Sequence, residues 1–252
     1  MIGLGKYSIS VIFFFVLIWF SSTVIGSNID IKSIHPKTQI ESLVLKQWTS
    51  EQGLISNNLT SINVDQDGFL WITCFNGLLK FDGHSFALFD SENLSVLNSN
   101  AFMNSFMSRS DGIFYSTQAS GIIQYKNGAF VSPDYNKNLP NYIRKVKIDD
   151  KGRIWAGANN KGLYVVENDS ATILDIPELQ NITVMDLAFD KQNHTYIASR
   201  GAGIVQINDD VPVRYYIEKD GLYSDVVNCL YMAEDNSLYI GTKDGLNILK
   251  KE

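Results

Sequence analysis

Apolar and polar residues alternate along most of this chain with a period of two. Ile62 and Val64, Val146 and Ile148, Leu187 and Phe189, and Leu230 and Met232 each stand two apart just before a polar turn. That period sends successive side chains to opposite faces of a strand. Three of the turns read DQDG, DDKG and DKQN, opening on Asp65, Asp149 and Asp190. An Asp in that place bonds the backbone of its own turn. A second apolar run follows each turn: FLWIT, RIWAG, TYIAS, LYIGT. A third run opens on Gly and an apolar residue: GLLKF, GIIQY, GLYVV, GIVQI, GLNIL. A fourth is weaker: SFALF, GAFVS, ATILDI, VRYYI. Helical periodicity is confined to the first 26 residues.

These runs recur. A turn residue, an aromatic three later and a glycine nine or ten after the first are found at Gly68, Trp71 and Gly77, and at Gly112, Tyr115 and Gly121. They are found again at Gly152, Trp155 and Gly162, then with Asn in the first place at Asn193, Tyr196 and Gly203, and at Asn236, Tyr239 and Gly245. Asn replaces Gly where a turn needs positive φ. The first positions are 44, 40, 41 and 43 residues apart, so five copies follow one another. Four antiparallel strands per copy predict an all-β fold, a β-propeller of about five four-stranded blades after an N-terminal signal segment. In this frame Trp71, Trp155, Tyr196 and Tyr239 are structural, packing between blades. A phosphate-binding loop is excluded, because no helix and no Lys-Ser/Thr pair follows the glycines.

Composition narrows the functions. The net charge of -6 over 252 residues argues against a nucleic-acid partner. The two cysteines, Cys74 and Cys229, have no metal-site or redox spacing. His35, His84 and His194 lie in a leader and two turns and read as exposed polar residues. At the N-terminus Lys6 precedes ISVIFFFVLIWF and then small residues. That is a secretory signal, with cleavage expected after Gly26; the alternative is an uncleaved anchor, since Ile9–Ile25 is at the lower edge of a spanning length. The expected division is 1–26 signal, 27–42 leader and 43–252 propeller, on the periplasmic or extracellular side.

The stretch from Trp48 to Phe86 resembles the two-component regulator propeller repeat: Gly-Leu-x-x-Asn, an alternating strand, Asp-x-x-Gly-x-Leu-Trp-Ile, then Gly-Leu and Phe-Asp-Gly. Residues 218–249 resemble it again, and the middle copies are more degenerate. The resemblance implies the extracytoplasmic sensor region of a bacterial signalling protein, of the kind that continues into a membrane helix and a histidine kinase or diguanylate cyclase output. No kinase or cyclase segment is read before Glu252. The expectation is a ligand-sensing propeller without its output domain and not itself an enzyme. A saccharide-processing propeller enzyme and a protein-interaction scaffold are the alternatives.

No nucleophile–base set or metal-spaced cluster can be read, so no catalytic residue, metal or cofactor is expected. Paired carboxylates lie in turns, where Asp is common. A ligand is expected at the rim loops that converge on one face, formed by Asn57, Asn76, Gln118, Tyr142, Asn159, Arg200, Tyr223 and Lys243. Amides and flat rings suit a saccharide, and the cations suit carboxylate or sulfate groups. Arg200, in SRGAG, is the leading candidate. A small ligand is thus the expected partner, a homodimer is open to the chain, and membrane contact would come only through an uncleaved N-terminus or a missing C-terminal part. Five Asn-x-Ser/Thr triplets, at Asn58, Asn93, Asn168, Asn181 and Asn193, read as chance in a bacterial protein. Two end states are open: a ring closed by pairing residues 44–48 with 246–250, or an open arc. Closure would bring the strands of Cys74 and Cys229 together; two free thiols are expected over a disulfide.

Overall fold

The computed structural model describes residues 46–108 and 110–250. The expected signal, leader and residues 43–45 lie outside the described residues. Trp48–Glu252 form one compact unit, and no helix among the described residues is long and apolar enough to cross a membrane. The unit is five antiparallel sheets in sequence order. Blade one holds β1 (Leu59–Val64), β2 (Leu70–Cys74), β3 (Gly77–Phe81) and β4 (Phe86–Phe89). Blade two holds β5 (Phe102–Ser108), β6 (Gly112–Thr117), β7 (Ile122–Lys126) and β8 (Ala129–Val131). Blade three holds β9 (Ile143–Ile148), β10 (Ile154–Ala158), β11 (Leu163–Glu167) and β12 (Ser170–Ile173). Blade four holds β13 (Val184–Phe189), β14 (Thr195–Ser199), β15 (Ile204–Asn208) and β16 (Val211–Tyr216). Blade five holds β17 (Val227–Met232), β18 (Leu238–Thr242) and β19 (Leu246–Leu249), three strands only. The inner strands β1, β5, β9, β13 and β17 pack against one another in that order.

Each seam buries one face of two neighbouring sheets. Trp71 and Leu78 meet Phe102, Ile113, Tyr115 and Ile123 between blades one and two. Phe114 and Ile122 meet Val146, Ala156 and Val166 at the second seam. Trp155, Leu163 and Val165 meet Leu187, Ile197 and Val205 at the third. Tyr196 and Ile204 meet Leu230, Leu238 and Ile240 at the fourth. Trp71 and Trp155 are fully buried. Tyr239 occupies the same register in blade five, but it is half-buried, beside exposed Tyr231, Leu246 and Ile248.

Tyr115 departs from the sequence frame. Val64 pairs with Leu70 and Ile148 with Ile154 across five turn residues, whereas Met107 pairs with Ile113 across Ser108–Gly112. Gly112 is therefore the fifth turn residue where Gly68 is the fourth. The equivalent of Trp71 is Phe114, facing blade three, and Tyr115 points back at Trp71, with ring centroids 6.2 Å apart. A one-residue offset turns a side chain to the opposite face of the sheet.

The turns do more than the sequence shows. Asp65 Oδ1 accepts from the backbone N–H groups of Asp67 and Phe69, and its Oδ2 accepts from Trp71 Nε1 at 2.8 Å. Asp149 repeats this with Lys151, Arg153 and Trp155, again 2.8 Å to the indole. Asp190 does so with Gln192, His194 and the Tyr196 hydroxyl at 3.3 Å. Each Asp thus ties its turn to the aromatic that fills the seam.

The ring-closing ladder is not formed among the described residues. Lys46–Trp48 hold no strand, and Trp48 packs edge-on against Phe81 of blade one, centroids 5.2 Å apart. β19 is the last strand of its sheet, and β1 and β17 do not pack together as consecutive inner strands do. Both cysteines are free.

Candidate functional site

The loops after each second strand and the segments leading into each first strand lie at one end of the blades. A single hydrogen-bonded line joins them. Gln118 donates its backbone N–H to the Ala101 carbonyl at 3.0 Å, and Gly121 donates to Asn141 at 2.9 Å. Asn159 donates to Tyr142 at 3.1 Å, Arg200 to Thr183 at 3.0 Å, and Lys243 to Val226 at 2.9 Å. Thr183 closes the gap between blades three and four: its hydroxyl reaches Asn159 Oδ1 at 3.2 Å and Asn160 Oδ1 at 2.8 Å. The same backbone bond thus holds Gln118, Asn159, Arg200 and Lys243 at one equivalent place in four blades. The scaffold is constant there, and the side chain varies.

Blades four and five make the densest part. Arg200 forms an antiparallel bridge with Val226, whose carbonyl receives Lys243. Gly201 and Gly203 both donate to the Asp225 carbonyl at 3.0 Å. Gly203 has φ +65°, and a Cβ there would lie 2.1 Å from the Tyr216 carbonyl oxygen, so only glycine lets the loop turn this tightly. Tyr223 is 62% exposed, with its backbone N–H on Asn247 Oδ1 at 3.0 Å. A Cβ on Gly245 would meet the Tyr223 ring at 3.0 Å, so the ring lies over that glycine. Arg200 and Lys243 are both exposed, and neither forms an ion pair among the described residues. Arg200 and Lys243 thereby both adjoin Val226 through their backbones, and the Tyr223 ring lies over Gly245, two residues beyond Lys243.

The other expected residues fall differently. Asn159 and Tyr142 are half-buried within the line, and Gln118 is exposed on it. Asn76 is exposed beside Gly77 in blade one, with no hydrogen bond to the line. Asn57 is committed elsewhere: its Oδ1 accepts from Ser50 N at 3.0 Å and holds the turn at Ser50–Gln52. Sequence reasoning missed Thr183 and Val226, which join neighbouring loops. The signal available was position, since both immediately precede a first strand.

A second polar feature runs along the inner strands. Each carries one bulge, and the residue after it is Ser61, Asn104, Lys145, Asp186 or Cys229 in blades one to five. Asn63 donates to the Ser105 carbonyl at 3.1 Å across the first seam. Across the third, Lys147 makes the equivalent bond to the Leu187 carbonyl. Burial alone would raise the Asp186 carboxyl, but Lys145 and Lys147 outweigh it and hold it below the usual range. Burial pushes the Cys229 and Cys74 thiols up, so neither is an activated nucleophile. No group of His, Cys, Asp and Glu able to hold a metal occurs among the described residues.

Comparison with known proteins adds the following. Residues 53–76 match the two component regulator propeller family. Over 154 residues the chain is 25% identical to histidine kinase P4 of Formosa agariphila, which is 54% of this chain and 11% of the kinase. The extracellular domain of the putative hybrid two component system BT4673 from B. thetaiotaomicron has the same fold, with TM-score 0.66 and 16% identity over 76% of this chain and 27% of that one. Virginiamycin B lyase from Staphylococcus aureus does too, with TM-score 0.60 and 16% identity over 77% of this chain and 70% of the lyase. The chain thus spans about a tenth of the curated relative and about a quarter of that extracellular domain. The described unit is a β-propeller, and its residues 53–76, in the first blade, match the two component regulator propeller family model.

Proposed function

We propose that this propeller is the ligand-sensing part of an extracytoplasmic signal-transduction protein. It binds a small anionic ligand, a saccharide bearing a carboxylate or sulfate, at the loop face of blades three to five. The carrying observation is the line from Tyr142 through Asn159 and Arg200 to Lys243, with two cations that form no ion pair among the described residues and an exposed Tyr223 at its end. Cations without a carboxylate partner are poised for charge-assisted bonds to an incoming anion, and the flat ring offers a stacking surface for a sugar. The relatives named above support the sensor role: one is a histidine kinase, another an extracellular domain of a hybrid two-component system.

The test is a thermal-shift screen of acidic and neutral saccharides, followed by calorimetry on the one that stabilises. Arg200→Glu is expected to abolish binding while leaving the melting temperature of the free protein within a few degrees. Undiminished binding by that variant refutes the loop-face site. Consumption of the saccharide during the titration would favour an enzyme, as the lyase neighbour is.

A further inference from the structure

A separate feature lies on the inner strands, away from the loop face. Lys145 and Lys147 of β9 both bond one carboxylate, Asp186 of β13, with Nζ–Oδ1 distances of 3.1 and 3.2 Å. Asp186 also accepts from the backbone N–H groups of Leu187 at 2.8 Å and of Leu230, in blade five, at 3.0 Å. Its side chain is 4% exposed, with Lys145 at 14% and Lys147 at 23%. The carboxylate therefore accepts three donors on Oδ1 and one on Oδ2, and two ammonium groups share Oδ1.

The fold does not require this charge. The place of Lys145 is held by Ser61 in blade one, that of Lys147 by Asn63, and that of Asp186 by Asn104 in blade two. Asn63 makes the seam bond to the next blade's carbonyl as a neutral amide, and Lys147 makes the same bond with an ammonium. Two ammonium groups carry six N–H donors. Among the described residues three are used, two on Asp186 and one on the Leu187 carbonyl. With both lysines protonated, one positive charge has no counter-charge and three donors are free among the described residues; burial already holds the Lys147 pKa below its usual value. A charge so placed calls for a counter-charge.

We propose that Lys145 and Lys147, steered by Asp186, form a binding site for a small monovalent anion, a halide or a carboxylate group, on the inner wall of blades three to five. One negative charge completes the balance, and the free donors supply its hydrogen bonds. Asp186 positions the two ammonium groups.

The experiment is 35Cl NMR of sodium chloride solutions containing the full chain, read as protein-induced line broadening. The wild-type protein is expected to broaden the line, and Lys145→Met to reduce the increment several-fold while keeping the wild-type circular dichroism spectrum. Lys147→Gln retains a donor for the Leu187 carbonyl, as Asn63 does for Ser105, and carries the test if Lys145→Met fails to fold. Sodium acetate that reverses the broadening supports a site open to carboxylates. Absence of broadening in the wild type overturns the proposal, and so does broadening undiminished in both lysine variants. Broadening that disappears in Arg200→Glu instead places the anion on the loop face and overturns it as well.

Discussion

Trp155 offers the most exacting check on how the blades are held together. Its ring is fully buried among Leu163, Val165, Leu187, Ile197 and Val205, and its Nε1 donates to Asp149 Oδ2 at 2.8 Å. Trp155→Phe keeps most of the apolar volume and removes the hydrogen bond. A bond to a charged acceptor contributes about 1.5–3 kcal/mol. Here Arg153 Nε, 2.8 Å from the same oxygen, still satisfies the carboxylate, so the low end, about 1.5 kcal/mol, is expected. Trp155→Ala also opens a cavity across the seam, and the cost rises to about 4–5 kcal/mol. Asp149→Ala removes the indole's acceptor and the two turn bonds to Lys151 and Arg153. Combined with Trp155→Phe it should show a coupling of about 1 kcal/mol, because the two changes delete one shared bond. Urea unfolding followed by both circular dichroism and tryptophan fluorescence reads these differences, and agreement of the two probes checks that the transition is two-state. Trp155→Ala costing under about 1 kcal/mol, against the large cost expected for a buried aromatic, would refute the seam assignment. Additive effects in the double variant would refute the link between turn and seam.

Other consequences follow from the same contacts. Tyr115 is buried with a hydroxyl that has no partner among the described residues, and burial pushes its pKa well up; Tyr115→Phe should be neutral or stabilising by up to about 1 kcal/mol, read by urea unfolding. Tyr239→Ala should cost far less than Trp155→Ala, about 1 kcal/mol, since the half-buried ring has no blade over it among the described residues. Asp186→Ala should cost about 3 kcal/mol, because it removes the buried carboxylate shared by two half-buried lysines. The same carboxyl sets a pH dependence. Its folded pKa lies below the unfolded value near 4, so its contribution is complete above that value and is lost as pH falls through the folded one. Stability measured from pH 5 downward should therefore fall, and Asp186→Asn should flatten that fall.

The repeat was legible because its parts obey local rules. Period-two runs gave the strands, and the Asp and Gly turns gave their ends, so all five sheets lie where the periodicity puts them. Tyr115 shows the limit of matching by spacing: a single residue's difference in where the turn glycine sits moved the seam position to Phe114. The link from Asp65 to Trp71 and from Asp149 to Trp155 spans six residues through side-chain atoms, and strand periodicity does not reveal it. Arg200, Tyr223 and Lys243 could be placed on one face from their loops, but only the contacts at Val226 show that Arg200 and Lys243 share a neighbour. Asn57 had the right residue type and position and yet serves its own turn, because a short amide near a backbone N–H is captured locally. Lys145 and Lys147 lie on β9 and Asp186 on β13, so no sequence window holds all three together.

The most direct test of the account is hydrogen–deuterium exchange of the full chain with and without the saccharide that raises its melting temperature. The account predicts slowed exchange at the loops around Asn159, Arg200 and Lys243 and none at the opposite turns beginning at Asp65, Asp149 and Asp190. Protection confined to those turns, or spread evenly over both ends of the blades, would contradict it.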